Sequence, residues 1–100
     1  MNIDGKLEGG KLVVALEGRI DSNTAPELEA YLKDNIEGVT SLVIDLEQVQ
    51  YVSSAGLRVI LFAYKEMGKT ESPFVVCHPN DYIMEVLDAT GFTDILTIER

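Results

Sequence analysis

One hundred residues, 46% of them hydrophobic and 25% charged, fill about one packed domain, residues 1–100, with no room for separate catalytic and regulatory domains. Eight Lys and Arg against seventeen Asp and Glu leave a net charge of −9, which sets the surface against nucleic-acid phosphate and anionic lipid. The single Cys excludes an internal disulfide, and one His with one Cys cannot close a zinc site, so no metal or cofactor is expected.

Residues 3–7 alternate apolar and polar side chains and lead into Gly9-Gly10, a pair that accepts the positive φ of a tight turn. Residues 11–17 carry Leu12-Val13-Val14-Ala15-Leu16 without a polar break, the pattern of a strand covered on both faces. Together they predict an antiparallel hairpin. A first helix opens at Thr24, where Thr24-Ala25-Pro26-Glu27 reads as a capping box. Leu28, Tyr31, Leu32 and Ile36 form its inward stripe, and Gly38 ends it. Residues 41–46 predict a third strand, with Val49 and Val52 carrying the apolar signal to Ser53-Ser54. A second helix covers about residues 55–67 and stops at Gly68, with Leu57, Ile60, Leu61, Tyr64 and Met67 inward. Phe74-Val75-Val76-Cys77 is a fourth strand. Pro79-Asn80-Asp81 opens a third helix with Ile83, Val86 and Leu87 inward, and Thr90-Gly91-Phe92 closes it. Residues 95–98 form the last strand.

The order β-β-α-β-α-β-α-β predicts an α/β fold. Its core is a mixed, mostly parallel five-stranded sheet with three to four helices packed against it. Strand order is not readable from the chain. In such a fold the loops after strands two, three and four leave from one edge, so Asp21-Ser22-Asn23, Ser53-Ser54 and His78-Pro79-Asn80 share a rim. No apolar run approaches the roughly 18–20 residues of a membrane span. The opening Met1-Asn2-Ile3-Asp4-Gly5-Lys6 has no secretory pattern, so a cytoplasmic location is expected.

Val52-Ser53-Ser54-Ala55-Gly56-Leu57 is the segment richest in chemical possibility. Two hydroxyls directly before a helix are suited to capping its free N–H groups. The same position suits a phosphate acceptor, because a helix N-terminus holds an anion with aligned donors and a partial positive charge. Ala55 and Gly56 keep the neighbourhood small and leave a hydroxyl open to a partner. Asp21 reads as a turn or cap residue on the same rim. On the second helix Phe62 falls opposite the core stripe, among Arg58, Lys65 and Glu66. It is either a plain exposed aromatic or an anchor at an interface, with Arg58 one turn past Ser54 beside it. Cys77 reads as an inert buried thiol, His78 as a rim or packing residue, and Met84 as surface. No nucleophile elbow or phosphate-binding glycine loop is present, so no catalytic residue is expected.

The run Tyr51-Val52-Ser53-Ser54-Ala55-Gly56-Leu57-Arg58-Val59-Ile60-Leu61 resembles the signature of bacterial anti-sigma factor antagonists, the STAS domain family. Gly18-Arg19-Ile20-Asp21 with Thr24-Ala25-Pro26-Glu27-Leu28 is similar to that family's first block. Leu87-Asp88-Ala89-Thr90-Gly91-Phe92-Thr93-Asp94-Ile95 is similar to its last helix and strand. The resemblance spans nearly the whole chain in the family's order. It implies a single STAS-like domain acting as a non-enzymatic binding module in a partner-switching circuit. Unphosphorylated, such a module binds an anti-sigma factor serine kinase and so releases a sigma factor. The kinase phosphorylates one Ser, and a phosphoserine phosphatase of the same circuit reverses it. The family carries Asp before the acceptor Ser, which places Ser54 at the acceptor position and Ser53 where the Asp would be. Ser53 is the lesser alternative acceptor. Asp21, Ser22, Asn23, Ser53, Ala55, Gly56, Arg58 and Phe62 are the expected partner-binding residues. STAS-like domains also serve as accessory subunits of lipid- or anion-transport complexes, which is the alternative reading.

Overall fold

In the computed structural model, which describes residues 1–100, Gly9 and Gly10 take φ of 56° and 84° and turn β1 (Asn2–Glu8) back along β2 (Lys11–Ile20). Glu8 faces Lys11 across this two-residue turn, as the glycine pair predicts. The chain continues through α1 (Ala25–Asn35), β3 (Ser41–Val52), α2 (Ser54–Gly68), β4 (Phe74–Cys77) and α3 (Asp81–Ala89). A 3-10 turn (Phe92–Asp94) and β5 (Thr97–Glu99) complete it. Strands lie side by side in chain order, with β1 antiparallel and β2 to β5 parallel.

That order decides where the helices go. Each crossover steps to the next strand in the same direction, so right-handed connections place all three helices on one face. Burial agrees: Leu12, Val14, Leu16, Leu42, Ile44, Leu46, Phe74 and Val76 are buried on the helical side, while Val13, Ala15, Val43 and Val75 are only half-buried. The expectation that residues 11–17 are covered on both faces is therefore corrected. An uninterrupted apolar run here serves one buried face and one partly open one.

β3 is twice as long as predicted and β2 runs three residues further, to Ile20. Two bulges explain why the longer strand looked broken. Ala15 pairs with Asp45 but Glu17 with Gln48, and Gly18 pairs with Val49 but Arg19 with Tyr51. Each bulge inserts one extra residue on β3, so Leu46, Val49 and Val52, three apart instead of two, all stay buried on the helical side. The last strand is shorter than predicted: residues 92–94 form the 3-10 turn, Ile95 is exposed, and pairing starts at Thr97.

In α2 the buried stripe is Gly56, Leu57, Val59, Ile60, Ala63 and Met67. Leu61 is half-buried and Tyr64 exposed, a rotation of the predicted face toward α1. Gly56 shows what sets this angle. A Cβ on Gly56 would lie 2.7 Å from Cγ2 of both Ile20 and Val52, the last residues of the two longest strands. The first turn of α2 thus rests directly on the sheet end.

Gly56→Ala should overpack this contact and lower stability by about 1–3 kcal/mol. In a domain this size that is a fall in melting temperature of roughly 4–8 °C per kcal/mol. Gly68→Ala, at a helical glycine with open space around its Cβ position, should instead raise it slightly. Thermal melts of the two variants against the parent chain read both.

Candidate functional site

The rim forms where β2 and β3 end together. The Ser53 N–H donates to the Ile20 carbonyl at 2.8 Å, so the residues after each strand emerge side by side. On the β2 side the chain coils at once. Asp21 Oδ1 accepts from the N–H groups of Asn23 (2.9 Å) and Thr24 (3.1 Å), and the Asp21 carbonyl accepts from Ala25 at 2.8 Å. Thr24 holds the N-cap position, as predicted, but it is Asp21 that supplies the capping oxygen, to the turn that leads into α1. The capping box at Thr24 does not form. The Thr24 hydroxyl is turned back into the loop, donating to the Arg19 carbonyl at 2.7 Å and accepting from the Asp21 N–H at 2.9 Å.

These contacts fix the charge of Asp21. Hydrogen bonds from Asn23 and then Thr24, together with Arg19 at 3.8 Å, outweigh desolvation and hold its carboxyl below the usual 3.8. It stays ionised on the rim. Arg19 in turn lies 4.4 Å over the Tyr51 ring, and Tyr51 stacks on Tyr82 with centroids 5.9 Å apart. No sequence periodicity marks this ladder, because Arg19 and Tyr51 become neighbours only through the second bulge.

On the β3 side, Ser53 is the N-cap of α2, half-buried, with its Oγ accepting from the Gly56 N–H at 3.4 Å. Ser54 is the first helical residue and is exposed. The two hydroxyls thus divide: one is engaged in the cap, and one faces solvent. Ser22, Ala55 and Arg58 line a shallow groove of about 210 Å³ with Ala25, Pro26, Glu29 and Val59, between the starts of α1 and α2. Asn23 is exposed beside it.

Two predicted partner-binding residues stand apart from this cluster. Gly56 is buried under the helix, so its small size serves packing against Ile20 and Val52 and not access to the hydroxyl. Phe62 is half-buried against the core, with Lys33 Nζ 5.7 Å from its ring centroid. It lines a separate groove of about 560 Å³ with Ile36, Val39 and Met67. The rotation of α2 toward α1 put it there. The third loop also starts lower than expected. β4 ends opposite Asp45, and Asn80 climbs beside β3, donating to the carbonyls of Val49 and Gln50 at 3.3 Å while capping α3 through the Ile83 N–H at 2.7 Å. His78 consequently faces Asp45 at 3.0 Å instead of joining the rim. Met84, expected at the surface, is half-buried.

The STAS domain family profile matches residues 2–100. The chain belongs to the STAS domain family. This STAS domain is 34% identical over 90 residues to a candidate anti-sigma factor antagonist, BtrV, of Bordetella bronchiseptica, covering 89% of this chain and 78% of that protein. It is 33% identical over 89 residues to the anti-sigma-B factor antagonist of Listeria monocytogenes, covering 87% and 77%. The crystal structure of an anti-sigma factor antagonist from Mycobacterium paratuberculosis superimposes with a TM-score of 0.89 at 28% identity, over 98% of this chain and 84% of that one. No helix of this STAS domain is long and apolar enough to cross a membrane.

Asp21→Ala removes the acceptor for two backbone N–H groups and should lower the melting temperature, whereas Asp21→Asn, which keeps an oxygen there, should recover most of the loss. The sign of the pH effect follows from the depressed carboxyl. Its stabilising contribution is complete above the unfolded value and disappears as pH falls through the lower folded value. The advantage of the parent chain over Asp21→Asn should therefore shrink below the usual 3.8, read from melts across acid pH.

Proposed function

We propose that this STAS domain is an anti-sigma factor antagonist, switched by phosphorylation of Ser54. The observation that carries the reading is the division of labour at Ser53-Ser54. Ser53 supplies the cap and is half-buried, leaving Ser54 exposed on the first turn of a helix, open to a kinase active site. Ser53 in place of the family's Asp removes a charge but keeps an oxygen acceptor for the Gly56 N–H, so the helix start survives the exchange. Ser54 is accordingly favoured over Ser53 as acceptor.

The partner is an anti-sigma factor with serine kinase activity, and a phosphoserine phosphatase resets the switch. The module acts by binding and not by turnover. Its docking surface is the rim of Asp21, Ser22 and Asn23 with Ser54, Ala55 and Arg58. A phosphate on Ser54 adds about −1.5 to −2 charges where the partner must sit closely. The free protein tolerates that group, because the helix N-terminus and Arg58, one turn on, both favour an anion. In the complex the same group must be stripped of water without a matching donor set, which costs affinity.

Titration calorimetry with the cognate anti-sigma factor kinase tests this directly. Ser54→Ala should bind like the parent chain and take up no phosphoryl mass on incubation with ATP. Ser54→Asp should bind at least about tenfold more weakly, equivalent to about 1.4 kcal/mol. Equal affinity for all three forms overturns the switch, and phosphoryl mass mapped to Ser53 moves the acceptor.

A further inference from the structure

At the lower end of the sheet, three metal-ligand side chains meet on the face that the helices leave open, with a fourth, Glu47, beside them. Asp45 and Cys77 stand opposite one another in the β3–β4 register, so both project from the same side of the sheet. Side chains alternate along a strand, which would send His78 to the other side. Its φ of 57° reverses that, and the ring returns to bring Nδ1 3.0 Å from Asp45 Oδ1. The Asp45 carboxylate, the Cys77 Sγ and the His78 imidazole all lie within 4.8 Å of one another. Glu47 Oε1 is 4.0 Å from the same Nδ1, and Glu99 stands opposite Cys77 on β5.

We propose that Asp45, Glu47, Cys77 and His78 bind one borderline-soft divalent cation, with Zn²⁺ the best fit. Tetrahedral zinc holds N, O and S ligands at about 2.0–2.3 Å, which sets the ligand atoms about 3.3–3.8 Å apart, so the widest separation among Asp45, Cys77 and His78 has to close by about 1 Å and Glu47 has to swing in as the fourth ligand. Glu47 and His78 are exposed and free to make that adjustment. Thiolate and imidazole select zinc over magnesium or calcium, while three carboxylates in a chain of net charge −9 attract a cation. A count of His and Cys alone does not register this set, because the carboxylates come from β3, with Asp45 33 residues before His78. On binding, Cys77 releases its proton to solvent, and His78 gives up the Nδ1 proton it donates to Asp45 in the free chain, leaving the ring protonated on Nε2 with the Nδ1 lone pair on the metal. Asp45 lies seven residues before Val52 on β3, about 20 Å at the usual strand rise, so this site is separate from the rim and independent of its reading.

Titration of the reduced chain with Co²⁺, followed by Zn²⁺, tests the site. One Co²⁺ should bind per chain with thiolate-to-metal charge transfer and the intense visible bands of tetrahedral coordination. Zn²⁺ should displace it, and excess Mg²⁺ should not. Cys77→Ser should abolish the charge-transfer band. His78→Asn, whose new side chain tolerates the left-handed backbone, should weaken binding at least about tenfold. Circular dichroism checks that each variant folds, and should Cys77→Ser fail, the exposed His78→Asn position decides alone. Saturation without a charge-transfer band, displacement by Mg²⁺, or undiminished binding by His78→Asn overturns the proposal.

Discussion

The seating of Gly56 against Ile20 and Val52 is the contact on which the rest of the rim depends. It joins the ends of β2 and β3 to the first turn of α2, with a hydrogen at Gly56 where any side chain would meet both branched residues. Because that turn cannot rise off the sheet, Ser53 is held at the N-cap and Ser54 is turned outward. The two bulges in β3 feed the same contact. Without them Val49 would fall on the open side, and Val52 would lie two residues past Ile20 instead of opposite it, where the helix is received.

The elements that were legible in the chain are those governed by local chemistry. Gly9-Gly10 dictated the hairpin, Asn80 and Gly91 bounded α3 as a polar cap and a left-handed stop, and Ser53-Ser54 marked the start of α2. The spacing of Leu46, Val49 and Val52 was also visible. Its meaning was not, because a step of three fits neither a regular strand nor a sustained helix until the partner strand reveals the extra residues. Thr24 misled for a related reason. Its hydroxyl satisfied the local cap pattern, but Asp21, already held at the strand end, offered a carboxylate and a carbonyl three residues earlier. The Arg19–Tyr51–Tyr82 ladder and the His78–Asp45 pair leave no sequence trace, since register and backbone strain alone bring them together.

The two faces of the sheet are built for different ends. Helices seal one side with aliphatic side chains. The other keeps Val13, Val43 and Val75 half-buried beside Asp45, Cys77 and His78. Burial, reinforced by the charge of Asp45, pushes the Cys77 thiol up to about 11, so it is protonated and unreactive near neutral pH. Burial raises the Asp45 carboxyl too, but hydrogen bonds from His78 and Glu47 outweigh it and leave the group ionised. The carboxylates that reinforce this shift are also the ones the proposed cation would neutralise.

Charge on the rim has to act locally. The chain carries −9 before any modification, so one phosphate changes the total by only about a fifth. At physiological ionic strength, fields from exposed groups are damped within about 8 Å, and the distant carboxylates contribute little at Ser54. A switch built on overall repulsion would therefore be weak. One built on contact is not, because a modification shifts binding by the difference between its cost in the complex and its cost in the free protein. The helix N-terminus and Arg58 keep the second cost low without any change of fold. On the proposed reading the whole effect is then felt at the interface, and a rigid rim, held by Gly56, converts a local charge into a lost partner.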